Sequence, residues 1–365
     1  MKKVLVTGGS GFIGRHVVRE LLSAGYEVLV LDNLIEQVHG DQPEDQQTEI
    51  LKADIRDEDA VRRAVSGQDA VIHLAAEVGV GQSMYEIARY VGTNDLGTAV
   101  LLEALIESSV QRIVVASSMS VYGEGSYRDS AGNQINARRS QQRIGIGLWD
   151  PIGSDGQPLR PVPTDEGKAV DLASIYALTK YMQEQAVLIF GRTYGIGAVA
   201  LRLFNVFGPG QALSNPYTGV LANFGARLIN GYAPTIFEDG LQRRDFVHVR
   251  DVARAFRLAL ERPTAAGQTF NIGSGRAYTI RDVATLLAGA MGKNSLEPEI
   301  LGRARAGDIR HCFADIGRAR NVLGYEPLQK LEDSLEELVD WLSASEASDS
   351  SSEMRQQLSS RGLIS

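Results

Sequence analysis

A glycine-rich stretch close to the N-terminus places the strongest limits on how this 365-residue chain can fold. The apolar run Lys3–Thr7 predicts a buried strand, and a helix-periodic pattern ends at Leu22. Between them, Gly8, Gly11 and Gly14 would let the backbone approach a pyrophosphate at the helix N-terminus. Unpaired N–H groups and the helix dipole favour anions there. The stretch therefore predicts a strand, a phosphate-binding turn and a helix.

The second predicted strand ends in an acidic residue. Glu27–Leu31 is followed by Asp32, and this acid lies about 20 residues beyond the glycine turn, as the dinucleotide-binding fingerprint requires. A carboxylate there accepts hydrogen bonds from both ribose hydroxyls and repels a 2′-phosphate. Asn33, and no arginine, stands beside it, so the pattern favours NAD over NADP. The alternative is a glycine-rich turn and an acidic strand end in some other α/β fold.

Strands and helices alternate through the first part of the chain. Glu58–Val65 predicts a helix, and Ala70–Ala76 and Arg112–Ala116 predict buried strands. This alternation predicts an α/β fold with a doubly wound parallel sheet. His73 lies inside an apolar run and is expected to be a hydrogen-bonded core histidine. Ligands bind beyond the carboxyl ends of such strands, which is where Ser118 is expected beside a substrate hydroxyl.

Tyr176 and Lys180 are four residues apart in the stretch Ser174–Tyr181. On a helix this spacing stacks both side chains on one face. A free tyrosine has a pKa of about 10 and is a poor base at neutral pH, but an adjacent ammonium can stabilise the phenolate. The lysine could also donate hydrogen bonds to the ribose of a nicotinamide cofactor. Taken alone, the spacing favours a solvated helix face, and only the other motifs of the chain reverse this interpretation.

Composition excludes several classes of function. The net charge of −8 provides no overall field that attracts nucleic acid or anionic lipid. A single cysteine, Cys312, excludes an intramolecular disulfide framework and is expected to be a packing residue in a reducing compartment. The apolar run after Met1 is too short for a signal peptide or a membrane span. We therefore expect a cytoplasmic protein without nucleic-acid or membrane partners.

Together these motifs resemble the extended short-chain dehydrogenase/reductase family, in its nucleotide-sugar epimerase and dehydratase branch. The resemblance covers about residues 1 to 342 and rests on Thr7–Gly14, Asp54-Ile55, His73–Ala76, Ser117–Gly123, Tyr176–Lys180, Arg202–Gly210, Arg244–Val249, Asp251–Ala253, Phe270–Gly275 and Arg305–Asp308. Two further stretches, Ala75–Met84 and Phe237–Gly240, are similar to the subgroup of dTDP-L-rhamnose 4-epimerases, beside UDP-glucose 4-epimerases. Some relatives carry cysteine pairs in an insertion where this chain has none, so no metal site is expected.

The resemblance implies a Rossmann-type doubly wound sheet with a smaller C-terminal α/β substrate-binding lobe. It implies catalysis by Ser118, Tyr176 and Lys180, and substrate contacts from Ser118, Asn205, Arg244, Arg305 and Asp308. The NAD-binding residues that it implies are Gly8, Gly11, Phe12, Ile13, Gly14, Asp32, Asn33, Asp54, Ile55, Leu74, Ala75, Ala76, Asn94, Tyr176 and Lys180. The family usually dimerises through the helices that contain Asn94 and Tyr176, so a homodimer is expected.

The predicted domain organisation follows from the same resemblance and from composition. An NAD-binding domain over 1–208 also receives about 245–262, and the substrate lobe takes 209–244 and 263–342. An insertion at 124–170, rich in glycine, proline and arginine, is expected to be a loop or small excursion. Within it, Arg138, Arg139 and Arg143 are expected to form a solvated basic loop, with direct contact to phosphate or sugar as the alternative. The polar composition of 343–365 predicts a solvated tail.

Three functions compete at this point. The first is an NAD-dependent 4-epimerase that inverts C4 of a nucleoside-diphosphate sugar through a transient 4-keto sugar. The second is another sugar-nucleotide enzyme, namely a 4,6-dehydratase, a decarboxylase or a reductase. The third is a non-catalytic NAD-binding regulator, which would not need Ser118, Tyr176 and Lys180. Dehydratases of this branch carry an Asp-Glu pair where this chain has Met119 and Ser120, and neither residue is a good acid or base.

Overall fold

The computed structural model describes residues 2–35, 48–211, 219–305, 307–344 and 357–364. The strands, in chain order, are β1 Lys3–Thr7, β2 Glu27–Asp32, β3 Glu49–Lys52, β4 Ala70–His73, β5 Arg112–Ser118, β6 Ser126–Arg128, β7 Gln134–Asn136, β8 Arg160–Val162, β9 Gly197–Leu203, β10 Asn205–Phe207, β11 Thr235–Ile236, β12 Arg243–Arg244, β13 Phe246–His248, β14 Gln268–Ile272, β15 Tyr278–Thr279, β16 Glu299–Ile300 and β17 His311–Cys312. Seven of them form one parallel sheet in the order β14-β9-β5-β4-β1-β2-β3.

Helices connect these strands. The α-helices are Phe12–Ser23, Glu58–Val65, Val80–Ser83, Ile87–Tyr90, Gly97–Leu105, Gln141–Ile144, Ile175–Tyr194, Val220–Ile229, Val249–Glu261, Ile280–Ala290, Gly317–Leu323 and Leu335–Ala344. A π-helix spans Val91–Leu96, and 3₁₀ turns span Met119–Tyr122, Pro263–Ala265 and Glu332–Ser334. In the described part of the chain, no helix is both long and apolar enough to cross a membrane.

Both faces of the large sheet are buried, since successive apolar side chains of a strand point to opposite faces and pack against different helices. Val4 and Val6 of β1 pack in one core cluster with the helices Phe12–Ser23 and Val249–Glu261. Leu5 lies between them and faces the second cluster, which includes the helix Glu58–Val65. A sheet buried on both faces requires apolar residues on each face of every strand. The predicted Rossmann-type doubly wound sheet is confirmed.

The strands β2 and β3 follow β1 toward one edge of the sheet, whereas β4 and the later strands lie on the other side of β1, so the strand order reverses between β1 and β4. These neighbours lead to connections on opposite sides of the sheet, which opens a crevice beyond their carboxyl ends. The glycine turn follows β1, so it lies at this crevice. His73 ends β4 as a core histidine, bonded to Thr7 at 2.7 Å and to Thr98 at 2.9 Å, as predicted. Burial lowers the pKa of His73 to about 3, so its ring is neutral.

A third apolar cluster lies in the C-terminal part, outside the large sheet. It joins the helices Val220–Ile229, Ile280–Ala290 and Leu335–Ala344. The predicted lobe boundary at residue 263 differs from the structure, because Gln268–Ile272 pairs with β9 as the edge strand of the large sheet. The run Gln268–Ile272 ends in buried apolar residues that fit this sheet, and composition alone did not assign it. The other predicted domain limits stay predictions.

The insertion forms a small antiparallel sheet in the order β7-β6-β8, which agrees with the predicted excursion. The predicted solvated basic loop is wrong for Arg139, whose side chain is only 7% exposed. Arg138 is exposed and pairs with Asp171, with an N–O distance of 2.9 Å. Arg139 is buried because two carboxylates from outside the insertion's strands, Glu124 and Glu238, neutralise its charge.

The predicted solvated tail is also wrong in part. Residues 345–356 of it lie outside the described residues, but residues 357–364 pack against the protein. Leu358 is 3% exposed, and Ile364 forms an antiparallel bridge with Arg305. The tail contains apolar residues at 358, 363 and 364, of which the first is buried and the other two are half-buried, and its polar average composition conceals them. Cys312 is buried, as expected of a packing residue.

Candidate active site

The glycine turn after β1 forms the floor of a cavity of about 430 Å³. Gly8 has φ +71°, and a Cβ there would lie 2.7 Å from the Ala75 nitrogen. A Cβ on Gly14 would lie 2.2 Å from the Gly8 oxygen, so only glycine lets the helix start this close to the turn. Ser10 Oγ is buried there and has no hydrogen-bond partner among the described residues. A cradle of backbone with an unsatisfied buried hydroxyl fits a dinucleotide phosphate.

Asp32 lies at the rim of the same cavity, at the end of β2. Its carboxylate accepts hydrogen bonds from the backbone nitrogens of Ser10, at 3.0 Å, and Leu34, at 2.9 Å. These bonds fix the carboxylate beside the glycine turn, where a ribose would be recognised. The predicted cofactor residues that line this cavity are Gly8, Gly11, Phe12, Ile13, Gly14, Asp32, Asn33, Ile55, Leu74, Ala75, Ala76, Tyr176 and Lys180.

Two predicted cofactor residues do not line the cavity. Asp54 is paired with Arg56, with an N–O distance of 2.6 Å. Asn94 is fully buried, its Oδ1 accepts from the Glu77 nitrogen at 2.7 Å, and its Nδ2 donates to Thr179 at 2.9 Å. The predicted role of Asn94 as a cofactor ligand stays a prediction. Its amide ties the loop after β4 to the helix that carries Tyr176.

The helix Ile175–Tyr194 presents Tyr176 to the cavity. Ser174 caps this helix by accepting from the Ala177 nitrogen at 3.1 Å, and Ser83 accepts from the Tyr176 nitrogen at 3.0 Å. Ser118, which ends β5, lines the same cavity. Burial raises the pKa of Tyr176, and the nearby Ser118 hydroxyl lowers it by a smaller amount. Tyr176 and Ser118, predicted to act together, therefore lie in one cavity.

Lys180 lies on the same helix and lines the same cavity, but it is 3% exposed. Its Nζ donates to Gln183 Oε1 at 2.5 Å. Burial lowers the pKa of Lys180 to about 7, although the nearby carboxylates of Asp95 and Glu184 oppose this shift. Burial also raises the pKa of Asp95 to about 6, and its Oδ1 has no hydrogen-bond partner among the described residues. The predicted action of Lys180 on the Tyr176 phenolate stays a prediction.

Asp95 and Gln183 were missed in the sequence. Asp95 follows Asn94 directly in the π-helix Val91–Leu96, and Gln183 lies three residues after Lys180. The i,i+3 spacing of Lys180 and Gln183 could have identified that pair. No sequence pattern connects Asp95 with Lys180, because they lie on two separate helices that only the fold brings together.

A second cavity, of about 300 Å³, adjoins the first. Asn205, Val80 and Val220 line both cavities, so they lie at the junction. Asn205 Oδ1 is buried there and accepts no hydrogen bond from the described residues. The predicted substrate residues Asn205, Arg244, Arg305 and Asp308 all line the second cavity. Ser118 lines the first, so the reacting group and the charged residues lie on either side of the junction.

The two arginines of the second cavity are held by contacts within the protein. Arg244 Nη1 donates to the carbonyl oxygens of Arg243, at 3.0 Å, and Arg310, at 3.1 Å. The Arg305 guanidinium lies over the Phe237 ring, 4.6 Å from its centroid, and pairs with Asp308 at 2.9 Å. These contacts orient two positive charges toward one cavity, which suits the oxygens of a diphosphate.

A buried ion cluster lies behind these arginines and was not predicted. Arg139 pairs with Glu124 at 2.9 Å and with Glu238, and Arg310 pairs with Glu238 at 3.0 Å. Asp150 and Asp239 complete the cluster through Arg310, at 2.8 and 2.6 Å. Arg139 also donates to the carbonyl oxygen of Asp308, so the insertion supports the second cavity from behind.

Comparison with known proteins agrees with this architecture. The family model described as "NAD dependent epimerase/dehydratase family" matches residues 4–141 and 152–273. A dTDP-L-rhamnose 4-epimerase of Burkholderia thailandensis is 35% identical over 93% of this chain and 95% of that protein. A dTDP-glucose 4,6-dehydratase of an Actinoplanes species is 28% identical over 94% of this chain and 98% of that protein. The crystal structure of a UDP-glucose 4-epimerase from Thermotoga maritima, solved with UDP-glucose, is similar with a TM-score of 0.77 and 32% identity, over 94% and 99% of the two chains.

Proposed function

The chain belongs to the NAD-dependent epimerase/dehydratase family, and we propose that it is a nucleotide-sugar 4-epimerase that inverts C4 through a transient 4-keto sugar. The observation that carries the proposal is that Tyr176 and Ser118 line the first cavity as a pair, next to its junction with the second. A sugar at the junction would have its hydroxyl beside this pair. Its diphosphate would then extend toward the arginines.

The residues of the first cavity fit NAD. The glycine turn would receive the pyrophosphate and Asp32 the adenosine ribose, since a carboxylate at this position accepts from both hydroxyls. Bound NAD would supply the acceptor, and later the donor, of the hydride that leaves C4. The protein's own residues would then handle the proton.

Tyr176 would act as the base for the C4 hydroxyl. Burial keeps its pKa above the ordinary value, so Tyr176 needs a nearby positive charge to ionise. A protonated Lys180 four residues along the helix would provide such a charge. Ser118 would position the substrate oxygen, since it lines the same cavity as Tyr176 and its hydroxyl lies 2.7 Å from the Ser120 hydroxyl. When the hydride returns to C4, Tyr176 would give the proton back to the oxygen on C4.

Inversion requires the keto sugar to turn over between the two hydride transfers. Arg244 and Arg305 would keep hold of the diphosphate while the sugar rotates about it. The unsatisfied Asn205 Oδ1 at the junction would accept a hydrogen bond from a sugar hydroxyl or, with the amide turned, its Nδ2 would donate to a phosphate oxygen. The net reaction inverts C4 and leaves the cofactor oxidised.

The acids of the cavities support epimerisation over 4,6-dehydration. A dehydratase must remove the C5 proton and protonate the departing C6 hydroxyl, but the residues after Ser118 are Met119 and Ser120. Among the described residues that line the two cavities, the acidic ones are Asp32, Glu77 and Asp308. Asp32 belongs to the ribose end, Glu77 pairs with Arg89 at 2.8 Å, and Asp308 pairs with Arg305.

We further propose dTDP-L-rhamnose or a UDP-hexose as the substrate, because the similar proteins act on such sugars. A product of this kind would supply polysaccharide biosynthesis in the cytoplasm. Exposed apolar side chains support a homodimer: Leu178 and Ile189 on the Tyr176 helix, and Val91 and Leu96 on the helix of Asn94, are 39 to 54% exposed. Such a pair of helices offers apolar area for a second copy.

Turnover in D₂O tests the proposal. The protein is incubated with a panel of UDP-, dTDP- and GDP-sugars, and the products are identified by NMR. An accepted substrate should emerge as its C4 epimer, with unchanged mass and no deuterium at C5. Deuterium at C5, or a product lighter by one water, would establish a dehydratase instead. A steady requirement for external NAD(P)H would indicate a reductase, and NAD binding without any turnover would favour the regulator.

A further inference from the structure

Residues 357–364, here called the C-terminal segment, fold back onto the second cavity. The segment begins with a helical turn at 357–360, and the Tyr85 hydroxyl donates to Gln357 Oε1 at 3.3 Å. The Arg361 guanidinium lies over the Tyr85 ring, 4.2 Å from its centroid. A cation placed so close to an aromatic face is attracted to it. Tyr85 therefore anchors the segment from one side.

The other anchor is the chain around Arg305. Ile364 forms an antiparallel bridge with Arg305, which lines the second cavity. Between the two anchors, Leu358 and Leu363 line that cavity themselves. Leu358 is 3% exposed, so the segment is packed into the cavity wall and does not merely lie across its mouth.

We propose that the C-terminal segment is a wall of the nucleotide pocket and that Leu358 and Leu363 help to determine its affinity for nucleotides. The inference rests on the proposed function, since it assigns the second cavity to the nucleotide part of the substrate. A nucleotide contains charged phosphates and a flat base, and the guanidinium groups of Arg244 and Arg305 can bind the phosphates. Leucine side chains suit the apolar faces of the base, as in most small-molecule pockets.

The remaining space favours a wall over a plug. With the segment in place, the second cavity still has about 300 Å³ and is continuous with the first through Asn205. That volume is within the range of ligand pockets, about 300 to 1,000 Å³. A plug would fill the space beside Arg244 and Arg305, whereas this segment leaves both arginines on the cavity surface.

Truncation tests the proposal. A variant that ends at Ala344, the last residue of the helix Leu335–Ala344, lacks the segment and the residues that lead to it. Calorimetric titration with UDP and with dTDP should give dissociation constants at least about tenfold higher than for the full chain, since two leucine contacts are lost. NAD content and melting temperature provide the check that the variant is folded. If the dissociation constants fall, the segment is a plug and the proposal is wrong. If they do not change, it is wrong as well.

Point variants test the wall without shortening the chain. Leu363→Glu places a negative charge in a cavity that binds phosphates and should weaken UDP and dTDP binding by more than tenfold. Leu363→Ile keeps an apolar side chain of the same size, so its dissociation constants for UDP and dTDP should stay within about threefold of the wild-type values. Ser359→Glu is the matched control, because it adds the same charge to an exposed position of the same segment. Equal effects of the charge at 359 and at 363 would contradict the proposal.

The failure of this inference is distinguishable from the failure of the proposed function. If the full chain converts no nucleotide sugar, the function is wrong, but UDP and dTDP titrations still report the pocket. If the full chain epimerises its substrate and Leu363→Glu leaves KM and kcat unchanged, only the wall is wrong. We expect KM to rise several-fold with kcat nearly constant, because the segment contacts the nucleotide and not C4.

Discussion

Replacing Lys180 with methionine should make the cofactor-free protein more stable and remove its activity. Lys180 is 3% exposed, and burial lowers its pKa from 10.5 to about 7. One pKa unit corresponds to about 1.4 kcal/mol, so the buried ammonium destabilises the fold at pH 6 by about 5 kcal/mol. Methionine keeps most of the volume without the charge. Gln183 Oε1 loses its donor, which costs about 1 to 3 kcal/mol, and the net gain is about 2 to 4 kcal/mol.

The pH dependence has a definite sign. In the unfolded chain the lysine keeps its proton up to its ordinary pKa of 10.5, whereas in the folded protein it loses the proton above about pH 7. Between these values the unfolded state binds more protons, so the stability of the wild type rises with pH. The advantage of Lys180→Met should therefore be largest at pH 6 and disappear by about pH 10.

Urea unfolding followed by tryptophan fluorescence measures this difference between pH 6 and 10. Both proteins must first be freed of cofactor, since a bound ligand would add its own contribution to stability. Lys330→Met is the control, because Lys330 is exposed and its replacement should change stability by less than about 0.5 kcal/mol. A variant that is less stable than the wild type at pH 6, or whose advantage does not depend on pH, would refute the reasoning.

Three further predictions concern the same sites. Tyr176→Phe should lower kcat by about 10²- to 10⁴-fold, because it removes the proton acceptor. The purified variant should keep its NAD(H), which is measured by absorbance after denaturation. Near-normal turnover would show that Tyr176 is not the base. The wild type should be purified with bound NAD(H), whereas the Asp32→Ala variant should lack it, because Asp32 is held beside the glycine turn. Equal cofactor content in the two proteins would contradict this role of Asp32. Glu238→Gln should lower the free energy of unfolding by about 1 to 3 kcal/mol, since Arg139 and Arg310 would each lose one of their carboxylate partners and keep the others. Chemical denaturation measures it, and a change below about 1 kcal/mol would mean that the cluster tolerates the loss.

Much of the fold could be predicted from local patterns. The strand Lys3–Thr7 and the helix Glu58–Val65 have the bounds that apolar periodicity predicted. Such elements can be predicted from their own residues, because buried side chains recur every two residues in a strand and every three to four residues in a helix. The pairing of Tyr176 with Ser118 followed from the resemblance to a family.

The rest depends on partners that are distant in the chain. Arg139 looked solvated because its own surroundings are polar, yet its partner Glu238 is 99 residues away. The hydrogen bonds of the Asn94 amide with Glu77 and Thr179 could not be predicted either, because these partners lie 17 and 85 residues away. The C-terminal segment has a polar composition, and its apolar residues Leu358 and Leu363 line a cavity whose other lining residues precede Leu358 by 49 residues or more. None of these contacts leaves a periodic pattern in the sequence.

The buried ion cluster also restricts how this protein can change over evolutionary time. Its two arginines come from the insertion and from the residue before β17, and its four acids come from three places in the chain. Glu238 is fully buried and pairs with both arginines, so the loss of both arginines would leave its charge uncompensated in the interior. Arg139 comes from the insertion, whereas Arg310 keeps Glu238 and Asp239 as partners without it. A lineage that lacks the insertion should therefore keep Arg310 wherever it keeps Glu238.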